Sequence, residues 1–157
     1  MVKLTGYKKI KTAVFISGNG SNLKSLIKFS KTRRSPIFIN LIVSNNPKAK
    51  GLEFGKIYKK KKKVINFRKK QKSENQIISI LKVHKIKMIC LAGFMKILSR
   101  NFIGKFRGKI LNIHPSLLPK YKGLNTHQRV LDNYEKYSGC TVHFVNSKLD
   151  SGKINWL

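Results

Sequence analysis

Apolar residues come in short blocks separated by glycine, asparagine, proline and lysine, and most blocks have the length of one secondary-structure element. Residues 12–16, TAVFI, are rich in strand formers and stop at SGNGSN, after which Leu23, Leu26 and Ile27 resume at helical spacing. That order predicts strand, glycine loop, helix. IFINLIV at 37–43 follows a proline and reads as a second buried strand, closed by the turn-like SNNP. A helix is expected over 49–58. The five lysines at 59–63 read as a solvated helix end or loop, because unpaired lysine is almost never buried, and VINF at 64–67 as a short strand. Ser73 and Gln76 have capping-box spacing, and Ile77, Ile80, Leu81 and His84 continue one helix face, with His84 at its surface end. MICLAGF at 88–94 and KILNI at 109–113 are further strands, with a short helix between them near 99–106. CTVHFV at 140–145 alternates as another strand.

Strands that alternate with helices and are apolar on both sides predict an α/β domain, a mostly parallel sheet with helices on both faces. A chain of 157 residues is about one domain, long enough to bury roughly 70% of its unfolded surface. Ligands on such sheets bind beyond the carboxyl ends of the strands, near the switch in strand order. SGNGSN, GFMKIL and NIHPS all follow strand ends.

The first of these places Gly18 and Gly20 at a tight turn, with Asn19 between them and Ser21 and Asn22 opening a helix. Exposed amides at a helix N-terminus suit a phosphate, and the same residues also suit a plain capped turn; the pattern is neither the dinucleotide nor the P-loop signature. Asn112 and His114 lie two apart, so on a strand they share a face opposite Leu111 and Ile113. A side-chain amide can donate to an oxygen acquiring negative charge, and an imidazole can move a proton near neutral pH. Pro115 restricts His114 to extended geometry, and Pro119 follows. Asp150, beside Ser151 and Gly152, reads locally as turn chemistry; next to an imidazole its carboxylate would stabilise the charged ring.

Charge changes this picture little. Lys and Arg total 35 against 5 Asp and Glu, a formal net charge of +30. Such an excess suits polyanions. Yet it is nearly all lysine, spread from Lys3 to Lys153 without interleaved stacking aromatics, which favours lysine loading of every solvated surface and argues against a nucleic-acid partner. Cys90 and Cys140 form no CxxC pair and sit in apolar runs, so both are expected as reduced, buried thiols. No apolar run approaches a membrane span, and the start MVKLTGYKKIK lacks the apolar segment of a secretion signal, which predicts a cytoplasmic protein without membrane contact.

FISGNGSNLKSLI, IVSNNPKAKGLE, LAGFMKILS, LNIHPSLLPKYKGLNTHQRVL and GCTVHFVNSKLDSG, in this order from Val14 to Gly152, resemble the phosphoribosylglycinamide formyltransferases, folate-dependent enzymes of purine synthesis. The resemblance implies a Rossmann-like formyltransferase fold. It further implies direct formyl transfer from 10-formyltetrahydrofolate, as co-substrate, to the amine of glycinamide ribonucleotide through a tetrahedral intermediate, without a metal. Asn112, His114 and Asp150 are then the catalytic group: Asn112 holds the developing oxyanion, His114 shuttles the proton and Asp150 orients or charges His114. Gly18, Asn19, Gly20, Ser21 and Asn22 would hold the ribose phosphate. Met95, Lys96, Ile97 and Leu98, together with Asn112, would line the folate pocket. Lys70 falls where the family has a basic residue toward the folate, with Arg68 and Lys69 hard to tell from it.

Methionyl-tRNA formyltransferase and formyltetrahydrofolate deformylase share N-x-H-x-S and a later Asp, but SGNGSN with KYKGLNTH matches the glycinamide enzymes better, and a second domain to grip a tRNA is not expected from these 157 residues. Family members continue with a strand and helix beyond the Asp turn, whereas this sequence stops at SGKINWL, with Lys153 in place of a common Pro and Trp156 and Leu157 outside the pattern. The expectation is therefore one formyltransferase catalytic domain over residues 1–157, lacking the family's C-terminal strand and helix: either a shortened or frameshifted gene product, or a chain whose open edge something else covers, as a partner chain or homodimer contact could. The competing expectation is a non-catalytic remnant that keeps ligand affinity or binds polyanions through its lysines.

Overall fold

The computed structural model describes residues 8–156. The first seven residues of the basic start and Leu157 lie outside the described residues. In chain order the elements are β1 (Ile10–Ile16), α1 (Ser21–Lys31), β2 (Ile37–Ser44), α2 (Leu52–Ile57), β3 (Lys61–Val64), α3 (Lys70–Val83), β4 (Met88–Leu91), α4 (Arg100–Lys105), β5 (Lys109–His114), α5 (Thr126–Asp132), β6 (Thr141–Phe144) and β7 (Ile154–Trp156). They form one sheet in the order β3-β2-β1-β4-β5-β6-β7. The first five strands in that order run parallel, while β6 is antiparallel to β5 and β7 to β6. From β1 the chain steps outward to β2 and β3, then returns across the sheet to β4. The strand order switches there, opening a crevice at the carboxyl ends of β1 and β4.

Alternation along the central strands builds the two core layers. Ala13 and Phe15 of β1 join Ile77 and Leu81 of α3 and Phe102 of α4 on one face; Val14 and Ile16 join Leu23 and Ile27 of α1 and Leu52 of α2 on the other. Each fully buried aliphatic or aromatic side chain here contributes about 1.5–3 kcal/mol, which explains why β1 and β2 are apolar on both sides. The phase of β2 changes midway. Thr12 pairs with Ile39 but Ala13 with Leu41, leaving Asn40 as an extra residue. This bulge lets Ile39 and Ile42 face one core layer while Leu41 faces the other. Asn40 turns its amide to the His84 carbonyl, 3.4 Å away, at the exposed end of α3.

Four local readings differ from the expectations. β3 lies on the lysine run itself, with Ile65 buried just beyond it. An edge strand needs no buried face, and its outward lysines discourage another chain from pairing. α3 begins at Lys70, so Ser73 sits inside its first turns, donating to the Lys69 and Asn66 carbonyls instead of capping. α5 had no apolar stripe to betray it: Val130 is buried but Leu131 is 68% exposed. β7 pairs through backbone groups, Val142 against Trp156 and His143 against Ile154.

The thiols also divide. Cys90 is buried on β4, and burial pushes its pKa up to about 11, whereas Cys140 is exposed just before β6. The thiolate is the reactive form. A neutral alkylating reagent at neutral pH is therefore expected to modify one thiol of the native chain and both after denaturation, as counted by intact mass. Among the described residues, no helix is long and apolar enough to cross a membrane.

Candidate active site

β1 delivers the glycine turn to the crevice. Gly20, at φ 75°, sits just before α1, and a Cβ there would lie 2.7 Å from Gly51 Cα. The Gly51 N–H donates to the Gly18 carbonyl at 3.0 Å. A glycine at each side of this close approach brings the β1 loop against the residues that lead into α2. Gly18, Asn19, Gly20, Ser21 and Asn22, with Ser17, Ala92, Gly93 and Met95, line a cavity of about 240 Å³.

Ser17 ties this loop to the one after β4. Its N–H donates to the Gly93 carbonyl at 3.0 Å, and its hydroxyl accepts the Met95 N–H at 2.7 Å while donating to Asn45. Met95 and Ile97 are 63% and 65% exposed, and Lys96 is exposed between them. Leu98, expected to line a pocket beside them, is 6% exposed and belongs to the core layer that contains Phe102. Arg68, Lys69 and Lys70 are all exposed at the start of α3, so burial does not single one of them out.

The carboxyl end of β5 carries the polar group. Leu91 of β4 pairs with Asn112, and Asn112 pairs across β5 and β6 with His143. Asp150, on the connection from β6 to β7, adopts φ 43°, a left-handed conformation that Asp tolerates better than most side chains. Its Oδ2 lies 3.4 Å from His114 Nδ1 and accepts the Gly123 N–H at 2.9 Å. Its Oδ1 lies 3.5 Å from Asn112 Nδ2 and 3.6 Å from His143 Nε2. The three residues singled out from sequence therefore meet around one carboxylate, largely shielded from water.

Hydrogen-bond roles constrain the rings. A carbonyl can only accept, so His114 Nε2, 2.9 Å from the Tyr121 carbonyl, carries hydrogen there, and Nδ1 is the nitrogen turned to Asp150. By the same reasoning His143 Nδ1 donates to the Phe144 carbonyl, which leaves Nε2 as a lone pair accepting from Asn112 Nδ2 at 3.2 Å. Both hydrogens of the Asn112 amide nitrogen thus have partners, the longer contact being the one to Asp150. Among the described residues no buried side-chain nitrogen or oxygen lacks a partner.

Residues 120–123 form a clasp over this group. Tyr121, at φ 56°, gives its carbonyl to His114, and Gly123 gives its amide to Asp150. Glu135 anchors the clasp from outside, accepting from Lys120 Nζ at 2.7 Å and from the Tyr121 hydroxyl at 2.8 Å. Those two donors hold the Glu135 carboxyl below its ordinary range. A depressed acid contributes its stabilisation above the unfolded carboxylate pKa of ~4.3 and loses it as pH falls through the folded value. Acidification below that point is expected to release the Tyr121 ring, seen as a change in its NMR signals. Glu135→Gln should abolish that acid transition.

His143, Tyr121, Gly123 and Glu135 were missed in the sequence. The one available signal was His143 in the alternating TVHF, unreadable until the antiparallel register set it opposite Asn112.

Residues 10–156 match the family described as formyl transferase. The chain is 43% identical over 147 residues to a phosphoribosylglycinamide formyltransferase of Haemophilus influenzae, covering 92% of this chain and 69% of that protein. It is 41% identical over 150 residues to the human trifunctional purine biosynthetic protein adenosine-3, covering 94% of this chain but only 15% of that one. A crystal structure of phosphoribosylglycinamide formyltransferase from Brucella melitensis superposes with a TM-score of 0.88 at 42% identity, over 94% of this chain and 77% of that one.

Proposed function

The chain belongs to the formyl transferase family, and from that premise we propose that it transfers a formyl group from 10-formyltetrahydrofolate to the amine of glycinamide ribonucleotide in purine synthesis, using a single catalytic domain. The observation that carries the reading is the meeting of Asn112, His114 and Asp150 at the carboxyl end of β5, the strand next to β4, whose end leads into the residues that line the glycine-loop cavity.

The amides of residues 18–22 and the N-terminus of α1 suit the ribonucleotide phosphate, and the cavity beside Ser17 leaves room for it. Met95, Lys96 and Ile97 offer a lip to the folate, which Leu98 anchors from the core. Lys70, with Arg68 and Lys69, supplies positive charge at the start of α3 toward the folate's carboxylates. When bound, the folate supplies a formyl carbon open to direct attack by the amine.

The Asn112 amide donates to the formyl oxygen as it becomes an oxyanion, giving up its longer contact to Asp150. Asp150 receives the proton lost by the attacking amine, directly or through one water, and that proton passes to the folate nitrogen as the donor's carbon–nitrogen bond breaks and the oxyanion returns to a carbonyl, releasing tetrahydrofolate. His114 Nδ1 shares that proton with Asp150 and offsets the carboxylate's charge, while the Tyr121 carbonyl keeps the ring from rotating. His143 holds the Asn112 side chain through its Nε2 lone pair.

Incubation with both substrates tests the proposal. Release of tetrahydrofolate only when the ribonucleotide is present, with matching formylation of its amine, is the expected result. Release without it would indicate transfer to water, and formylation of a charged tRNA would indicate the tRNA branch of the family; either overturns the assignment.

A further inference from the structure

Only five acidic residues occur in the chain, and one of them, Glu74 of α3, is 3% exposed. A buried carboxylate costs too much to persist without partners. Both of its oxygens serve one residue: Oε1 accepts the Ser99 N–H at 2.8 Å and Oε2 accepts the Ser99 hydroxyl. The Ser99 hydroxyl in turn accepts the Phe102 N–H at 3.0 Å and so caps α4. Ser99 is the far end of the segment that leaves β4.

The near end is held as firmly. Gly93 turns at φ 73° with its carbonyl tied to Ser17, and the Phe94 ring sits edge-on to Phe15 at 5.3 Å and to Phe67 at 5.5 Å. Between these anchors Met95, Lys96 and Ile97 form an arch whose two apolar side chains face solvent. A segment fixed at both ends that presents exposed apolar groups beside a cavity suits an apolar ligand.

We propose that Glu74 is a positioning residue for the formyl-donor half of the site: through Ser99 it fixes the arch at the height where Met95 and Ile97 meet the donor's ring system, without touching the donor. This rests on the formyl-transfer reading above. A purely structural cap would change stability and leave the two substrates equally affected, whereas a positioning residue acts on one of them.

Steady-state kinetics of the full chain, varying each substrate in turn, separates the two. Glu74→Gln loses the charge-assisted bonds to Ser99, and is expected to raise the KM for 10-formyltetrahydrofolate about tenfold and that for the ribonucleotide far less, since only Met95, which Ser17 holds separately, borders the glycine-loop cavity. Ser99→Ala, which keeps the backbone N–H bond and loses only the hydroxyl, serves if Glu74→Gln fails to fold, and should move the same KM by a smaller factor. Equal rises in both KM values, or a lowered Tm with neither changed, overturn the proposal. A wild-type chain without turnover overturns the formyl-transfer reading and this proposal with it, whereas wild-type turnover with an unmoved donor KM in both variants overturns only the role of Glu74.

Discussion

Asn112→Ala is expected to lower kcat by about 10²–10³, the usual consequence of removing one oxyanion donor, or about 3–4 kcal/mol of barrier. The structure adds a second effect. The Asn112 amide also supplies hydrogens to His143 Nε2 and toward Asp150 Oδ1, so its loss leaves two buried acceptors without that donor. Each such group costs about 1–3 kcal/mol, and the variant should therefore also unfold at a lower temperature. Rate and stability can be separated, because the stability loss falls on all temperatures near the melting transition while the rate loss persists well below it. The KM for the ribonucleotide should hardly change, since its phosphate is proposed to rest on residues 18–22. A full rate in a folded Asn112→Ala chain would refute the oxyanion role.

Gly152→Ala is expected to damage fold and rate together. A Cβ at that position would stand 1.6 Å from the Phe144 carbonyl oxygen and 2.7 Å from its carbon, both backbone atoms that cannot swing aside. The connection between β6 and β7 must move, and Asp150, two residues earlier in a left-handed conformation, must move with it. Overpacking of this kind costs about 1–3 kcal/mol, which in a chain of this size lowers Tm by roughly 2–4 °C per kcal/mol. Turnover should fall further than the stability loss explains, because the carboxylate leaves His114 Nδ1 and the Gly123 amide. Gly104→Ala provides the contrast: a Cβ there meets nothing within 4 Å, and Gly104 lies in α4, where alanine is favoured by about 0.5–1 kcal/mol. Calorimetry and kcat measured on both variants would separate an effect of position from an effect of any added methyl group.

How much of this was legible beforehand depends on whether burial or backbone pairing made each element. β1 and β2 were readable because their apolar blocks face two core layers, and the glycine turn because a strand and a helical repeat flank it. β3 was misplaced because its lysines pair through the backbone and bury nothing. α5 and β7 were invisible for a similar reason, one having no apolar stripe and the other only three residues. In the site, the shared face of Asn112 and His114 followed from strand periodicity alone. The approach of Asp150 did not, since a left-handed turn after β6 has no periodicity to read; only the family resemblance pointed to it. The Tyr121 carbonyl and Gly123 amide were beyond reach, because main-chain groups carry no residue identity. Cys140 misled by adjoining an apolar run that begins one residue later.

The lysines of β3 bear on how the protein behaves in concentrated solution. Among the described residues no strand pairs with its outer rim of N–H and C=O groups, a template on which another strand could add, and like-charged side chains on neighbouring copies keep them apart. That protection is ionic, so it shortens with the Debye length, from about 30 Å at 0.01 M salt to about 3 Å at 1 M. Dilute buffer is then the condition in which copies stay dispersed, and salting should draw them together along this rim before any loss of native structure.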